Sequence, residues 1–135
     1  MNAYRIHVVA VLAVFVCSAC TSSPEVVPSS GPRAATSPEQ VEIYTKAPDK
    51  YEDLGPVTVT GAEGAKWDER GDATAGFDAL KRKAADRGAN GLLLKLKEGE
   101  YEQLVLAGYK GEYYPVPVKG KPPTAVAQAI YVIEK

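Results

Sequence analysis

Residues 72–96 have the sequence DATAGFDALKRKAADRGANGLLLKL, and this stretch decides the fold class. Phe77, Leu80 and Ala84 fall at positions i, i+3 and i+7 with charged residues around the other faces, which predicts an amphipathic helix. Asp72 is placed to cap the N-terminus of this helix, and Gly88 suits the left-handed conformation that ends many helices. The apolar run that follows predicts a buried strand, so a helix leads directly into a strand.

Short segments of alternating apolar and polar residues predict further strands on both sides of this unit. The predicted strands lie at residues 41–44, 57–60, 92–97, 103–109 and 125–133. Residues 111–123 contain four prolines and predict either a long hairpin tip or an irregular insertion. Together these elements predict one α+β domain over residues 39–135, with a small, mostly antiparallel sheet of four to five strands and one helix packed on one face.

The N-terminus has the pattern of a signal peptide. Arg5 precedes ten uninterrupted apolar residues at positions 8–17, and the small residues Ser18 and Ala19 follow. Ten residues make roughly 15 Å of helix, about half of what crosses the core of a bilayer. We therefore expect residues 1–19 to be a signal peptide that is removed, and not a transmembrane anchor.

The sequence Cys17-Ser18-Ala19-Cys20 resembles the lipobox of bacterial lipoproteins. Ser18 and Ala19 match its two small positions and Cys20 its lipidated cysteine, while Cys17 stands where leucine is usual. The resemblance implies a lipid on Cys20 that holds the protein in a membrane. The alternative is a secreted protein cleaved after Ala19, in which Cys20 is a free thiol or forms an intermolecular disulfide.

Residues 20–38 are rich in Ser, Thr and Pro, and we expect them to form the lipidated cysteine and a disordered tether. Thr21 follows the cysteine at the position where the sorting rule of bacterial lipoproteins would require Asp for retention in the inner membrane. The resemblance therefore implies an outer-membrane protein, lipid-anchored, with its domain facing the periplasm.

The composition excludes several function classes. Sixteen basic residues against seventeen acidic ones give a formal charge of -1, which argues against a nucleic-acid partner. Cleavage before Cys20 removes the only histidine, His7, and leaves one cysteine that carries lipid, so no internal disulfide forms. Triads that need histidine or a free cysteine are then excluded, and we predict no catalytic residues, no metal site and no cofactor.

Three stretches of the predicted domain resemble a group of small bacterial envelope lipoproteins that includes RcsF and the YbjQ-like domains. The similar stretches are residues 41–57, with a Pro turn and Leu-Gly before a second strand, residues 79–91, with a helix ending in Gly-Ala-Asn, and residues 126–132, the last strand. The resemblance implies a small sheet with one helix on a lipid tether.

Two sets of side chains are candidates for binding. Aromatic faces bind glycans and protein partners, and the candidates of this kind are Trp67, Tyr109, Tyr113 and Tyr114. Alternate glutamates on an extended chain share one face and could hold a hard cation such as calcium, and these are Glu98, Glu100 and Glu102. The alternative for the glutamates is a solvated edge or turn. A basic helix surface could contact anionic lipid or a polyanionic partner, with a solvated helix face as the alternative, and its residues are Lys81, Arg82, Lys83 and Arg87.

The sequence thus predicts a non-catalytic outer-membrane lipoprotein whose periplasmic domain binds or positions an envelope protein or glycan. One alternative is a regulator that signals through a partner in the manner of RcsF. The other is an ion-binding module built on the three glutamates.

Lipidation gives the first testable prediction. Cells grown with labelled palmitate should incorporate the label into the wild-type chain and not into a Cys20→Ala variant, because the thiol of Cys20 is the predicted acceptor. Immunoprecipitation followed by autoradiography measures the difference. Equal labelling of the two chains would contradict the prediction.

Overall fold

The computed structural model describes residues 23–61, 67 and 70–135, and these ranges form an α+β fold with one α-helix and a mixed sheet of seven strands. The strands are β1 (Glu25–Val27), β2 (Glu42–Tyr44), β3 (Lys50–Thr60), β4 (Gly91–Leu93), β5 (Gln103–Tyr109), β6 (Glu112–Lys119) and β7 (Thr124–Glu134). The helix α1 spans Thr74–Asp86, and a 3₁₀ turn spans Pro38–Gln40.

The last strand, β7, is the centre of the sheet. Strand β3 pairs with it antiparallel along one side, while β6 and then β4 pair with it antiparallel along the other. Strand β1 adds to β3 and strand β2 adds to β4, both in parallel, and β5 forms a hairpin with β6. The α+β class and the single helix are confirmed, but seven strands replace the predicted four to five because β1 and β6 form where no strand was predicted.

Strand β6 occupies the proline-rich segment, which is neither a long hairpin tip nor an insertion. The tip is a two-residue turn at Lys110 and Gly111, which have φ angles of 49° and 83°. Pro115 and Pro117 lie in the part of β6 that pairs only with β5, because β7 reaches β6 only at Val118 and Lys119. Proline lacks an amide hydrogen, so it is compatible with a strand that has a partner on one side only.

Helix α1 forms as its periodicity predicts and ends in a Schellman motif. The amide of Gly88 (φ 80°) donates to the carbonyl of Ala85, and the amide of Ala89 donates to that of Ala84. The predicted N-cap is displaced by one residue: Ala73 is the N-cap, and Asp72 accepts from the amide of Thr74 instead. Within the described ranges, no helix combines the length and the apolarity that crossing a membrane requires.

The core lies between α1 and one face of the sheet. Phe77 is fully buried at its centre, with ring centroids 5.5 Å from Trp67, 5.0 Å from Tyr109 and 5.6 Å from Tyr114. The small side chains of Ala125, Ala127 and Ala129 in β7 belong to the same buried cluster. Small residues on the central strand let the helix approach the sheet closely, and the aromatic rings fill the remaining space.

Strand β4 is shorter than predicted. It ends at Leu93, because its neighbour β2 ends at Tyr44, and only the amide of Leu94 still reaches the carbonyl of Tyr44. Leu96 therefore has no ladder partner. It lines a cleft with Val126 and Gln128 of β7 instead.

Residues 25–40, which we call the N-terminal strap, lie against the domain. This differs from the predicted disordered tether. The amide of Glu25 donates to the carbonyl of Asp49 at 2.8 Å, and the amide of Thr36 donates to the carbonyl of Ala85 near the end of α1 at 2.9 Å. The strap is ordered because its polar groups find specific partners on the domain, although it contributes few apolar side chains to the core.

A buried carboxylate holds the middle of the strap. Glu52 of β3 is only 2% exposed and accepts from the amide of Ser30 at 2.9 Å and from Nε of Arg33 at 3.1 Å. The Arg33 guanidinium forms an ion pair with Glu52 and lies 3.8 Å from the ring centroid of Tyr131. The hydrogen bond from Arg33, followed by that from Ser30, lowers the pKa of Glu52.

Acid should release the strap. Because the pKa of Glu52 in the folded chain lies below its ordinary value of 4.5, the stability from its ion pair is complete above about that pH. This stability is lost as the pH falls through the pKa that Glu52 has in the folded chain. We expect amide exchange at residues 25–36, corrected for the intrinsic effect of pH, to accelerate over this range while exchange in α1 does not.

The control is Glu52→Gln, which keeps an acceptor for Ser30 and removes the titrating group. This variant should have a looser strap at neutral pH and no acid transition of its own. An unchanged transition in the variant would mean that another carboxylate controls the strap.

Candidate functional site

The two faces of the β5–β6 hairpin differ in burial. Val105, Ala107 and Val116 point into the core. Leu104, Leu106, Tyr113 and Pro115 lie on the other face, where Pro117 is nevertheless fully buried. On the outer side, Leu104 is 52% exposed, Leu106 36% and Tyr113 60%. We call these three residues, with the half-buried Pro115, the outer hairpin face. Three large exposed side chains on strands of seven and eight residues are more than packing requires, which makes this face a candidate binding surface.

A groove of about 450 Å³ adjoins the outer hairpin face, and we call it the hairpin groove. One wall is the segment before α1 and the other is the end of the hairpin. The lining residues are Arg70, Gly71, Asp72, Thr74, Gly108, Tyr109, Lys110, Gly111, Glu112 and Tyr113.

Backbone hydrogen bonds fix the two walls against each other. The amide of Arg70 donates to the carbonyl of Leu106 at 2.6 Å, and the amide of Gly108 donates to the carbonyl of Gly71 at 2.8 Å. A Cβ atom at position 108 would lie 2.9 Å from the carbonyl oxygen of Gly71, so only glycine permits this approach. The shape of the groove is therefore set by main chain rather than by side-chain rotamers.

The carboxylates of the groove are engaged by the chain itself. Oδ1 of Asp72 accepts from the amide of Thr74 at 2.9 Å and from its hydroxyl at 2.6 Å, and these bonds lower the pKa of Asp72. Glu112 accepts from the hydroxyl of Tyr114 at 2.6 Å. In contrast, no ion pair within the described part of the chain involves Arg70 or Lys110. Both cations line the groove, and Nζ of Lys110 lies 5.2 Å from the ring centroid of Tyr109.

Arg70 and Lys110 also have an uncommon backbone conformation. Their φ angles are 57° and 49°, and among the described residues no other residue except glycine has a positive φ. This conformation costs an L-residue roughly 1–2 kcal/mol. Such residues are concentrated at functional sites, and here both of them are cationic and both line one groove.

Only one of the four aromatic candidates is well exposed. Trp67 is buried and its indole Nε1 donates to the carbonyl of Val59 at 3.1 Å, and the ring of Tyr109 is buried against Phe77. The rings of these two residues pack in the core, and their role in partner binding stays a prediction. Tyr114 is half-buried against Phe77, and Tyr113 offers its ring to solvent.

The hydroxyl of Tyr109 reaches the edge of the groove although its ring is buried. It donates to Oδ1 of Asp78 in α1 at 3.0 Å. Burial, followed by this hydrogen bond to a carboxylate, raises the pKa of Tyr109 to about 12. The phenol therefore stays protonated and ties the hairpin to the helix.

The three glutamates, the basis of the alternative ion-binding module, lie in different surroundings. Glu100 accepts from the amide of Lys97 at 3.0 Å, whereas Glu102 accepts from the amide of Gly120 at 3.1 Å in a different turn, and Glu98 is exposed in the loop before β5. Across residues 23–61, 67 and 70–135, no group of three His, Cys, Asp or Glu side chains could hold a metal ion. Glu100 and Glu102 thus accept from backbone amides in turns.

The basic residues of α1 contribute to the fold. Nζ of Lys83 donates to the carbonyl of Thr58 at 2.7 Å, and Nη1 of Arg87 donates to that of Leu54 at 3.3 Å. Nζ of Lys81 lies 5.6 Å from the ring centroid of Tyr109. The long side chains thus fasten the helix to β3 and to the hairpin.

The predicted signal peptide, residues 1–19, and Cys20 lie outside the described residues. Comparison of the chain with protein-family models, with curated proteins and with solved structures found no match. The resemblance to RcsF and the YbjQ-like domains therefore stays a prediction.

Replacing Lys110 with asparagine tests the strain at the hairpin turn. Asn-Gly is the preferred pair for a two-residue turn in which both φ angles are positive, so Lys110→Asn should raise the free energy of unfolding by about 1 kcal/mol. Denaturant unfolding measures the change. Lys110→Gln removes the same charge without this preference and should be nearly neutral, so equal stabilities of the two variants would contradict the explanation.

Proposed function

We propose that this protein is a non-catalytic lipoprotein of the bacterial outer membrane, anchored by lipid on Cys20, whose periplasmic domain binds another envelope component. The signal-peptide pattern and the lipobox resemblance support the location. The observation that supports a binding role is the combination of the outer hairpin face with the hairpin groove, where exposed apolar side chains adjoin Arg70 and Lys110.

The chemistry of this site fits a partner with both apolar and anionic groups. The ring of Tyr113 and the side chains of Leu104 and Leu106 offer an apolar surface, and aromatic residues in such positions often contribute most of the affinity. Arg70 and Lys110 fit carboxylates or phosphates, either on a protein or on an acidic glycan. Because backbone hydrogen bonds fix the groove, a ligand would meet a preformed site and lose little free energy in ordering it.

A binding role also agrees with the side chains that line the groove. Asp72 and Glu112 are the acidic groups there, and each already accepts a hydrogen bond from a neighbouring hydroxyl. These hydrogen bonds hold the two carboxylates in place at the walls of the groove, which suits a preformed recognition site.

Site-specific photocrosslinking of the full chain in cells tests the binding role. A photoreactive residue in place of Tyr113 should crosslink to a defined envelope partner, and one in place of Glu98, which is exposed elsewhere, should not. Since Tyr113 is 60% exposed, its replacement should change stability by less than about 0.5 kcal/mol.

Introducing Arg70→Gln and Lys110→Gln into the chain that carries the photoreactive residue at position 113 should reduce its crosslinking at least several-fold. The circular dichroism spectrum should stay unchanged. Mass spectrometry identifies the partner, and a component of a signalling pathway would favour the regulator over a structural role. Absence of a crosslink from Tyr113, or the same products from both positions, would overturn the proposed site.

A further inference from the structure

The ordered strap leaves a short connection between the predicted lipid and the domain. Glu25 is held in β1 by its pairing with Lys50 and by the hydrogen bond from its amide to Asp49. Five residue steps separate Cys20 from Glu25 in the sequence. A chain extends at most about 3.6 Å per residue, so β1 begins no more than about 18 Å from a lipid on Cys20. The disordered tether predicted over residues 20–38 would have allowed several times this reach.

The part of the domain where the strap begins also exposes apolar side chains. Val26 of β1 pairs with Tyr51, which pairs with Val132, so β1 lies at the same end of the sheet as the last residues of β7. Ile133 follows Val132 at a register shift between β3 and β7 and has no partner in β3. Val26 is 53% exposed and Ile133 is 46% exposed. Among the described residues, the other large exposed apolar side chains are Leu104, Leu106 and Tyr113 on the outer hairpin face.

We propose that this end of the sheet, with Val26 and Ile133, rests on the membrane surface; this inference depends on the proposed lipid at Cys20. Because the connection between Cys20 and β1 is short, the bilayer surface lies near this end of the sheet. The two exposed apolar side chains can then make a favourable contact with the membrane–water interface. The tether raises the effective concentration of the surface, so a small contact is sufficient.

The contact does not depend on anionic lipid. The lysines at this end are already paired, Lys50 with Glu25 at 3.7 Å and Lys135 with Glu42 at 2.8 Å, and Glu134 adds a further negative charge. A polybasic attraction is therefore absent from this part of the described chain, and the contact should survive raised salt.

The opposite end of the sheet then lies far from the membrane. Strand β7 has eleven residues, and its first residue, Thr124, pairs with Thr60 at the other end of β3. Ten steps of about 3.3 Å place the turn that precedes β7 roughly 33 Å from the end that carries Ile133. Lys121 in this turn is exposed and provides a matched distal position.

Fluorescence quenching on vesicles tests the orientation. The lipidated chain, with Val26→Cys or Lys121→Cys carrying an environment-sensitive fluorophore, is bound to phosphatidylcholine vesicles that contain nitroxide headgroups. The lipid blocks Cys20, so the new cysteine is the labelled one. We expect emission from position 26 to fall several-fold and emission from position 121 to stay unchanged, at both low and raised salt.

Equal quenching at the two positions, or no quenching at position 26, would overturn the orientation. Mass spectrometry of the purified chain separates this failure from that of the proposed function. A chain with an unmodified Cys20 refutes both the anchor and the orientation, whereas a lipidated chain that is not quenched at position 26 refutes the orientation alone.

Discussion

The ion pair between Glu52 and Arg33 is the interaction on which the N-terminal third of the described structure depends. Glu52 is the buried charged residue of the described chain, and the strap covers it. A buried carboxylate without a cation is strongly unfavourable, so the strap and the strand stabilise each other. The stacking of Arg33 on Tyr131 links the same group to β7, which places one strap residue in contact with both long strands.

The rest of the strap follows from this attachment. Gly88 lies where the strap crosses the end of α1, and a Cβ atom there would strike Arg33 and lie 2.7 Å from the carbonyl oxygen of Ala34. One glycine thus ends the helix and makes room for the strap. Beyond the crossing, Thr36 donates to the carbonyl of Ala85, and the chain then enters β2 beside β4.

Elements with a local signal could be predicted from the sequence, and elements fixed by distant partners could not. Helix α1 was predictable because its apolar period and Gly88 lie within fifteen residues. The strap has the composition of a disordered segment, and its order comes from Glu52, nineteen residues after Arg33. In the site, the sequence indicates Tyr113 only as one of four aromatic candidates. The left-handed conformation of Arg70 has no signal in the sequence, and its amide donates to the carbonyl of Leu106 in the distant strand β5.

The prolines of β6 have a consequence for how any partner engages the hairpin. A strand edge with free amides and carbonyls invites another chain to extend the sheet, which is one route to aggregation. Pro115 and Pro117 remove two amide donors from the stretch where β7 does not cover β6. Pairing of this edge with a strand of another chain is therefore disfavoured. A partner would instead be recognised by the side chains of the hairpin, whose identity can discriminate one partner from another.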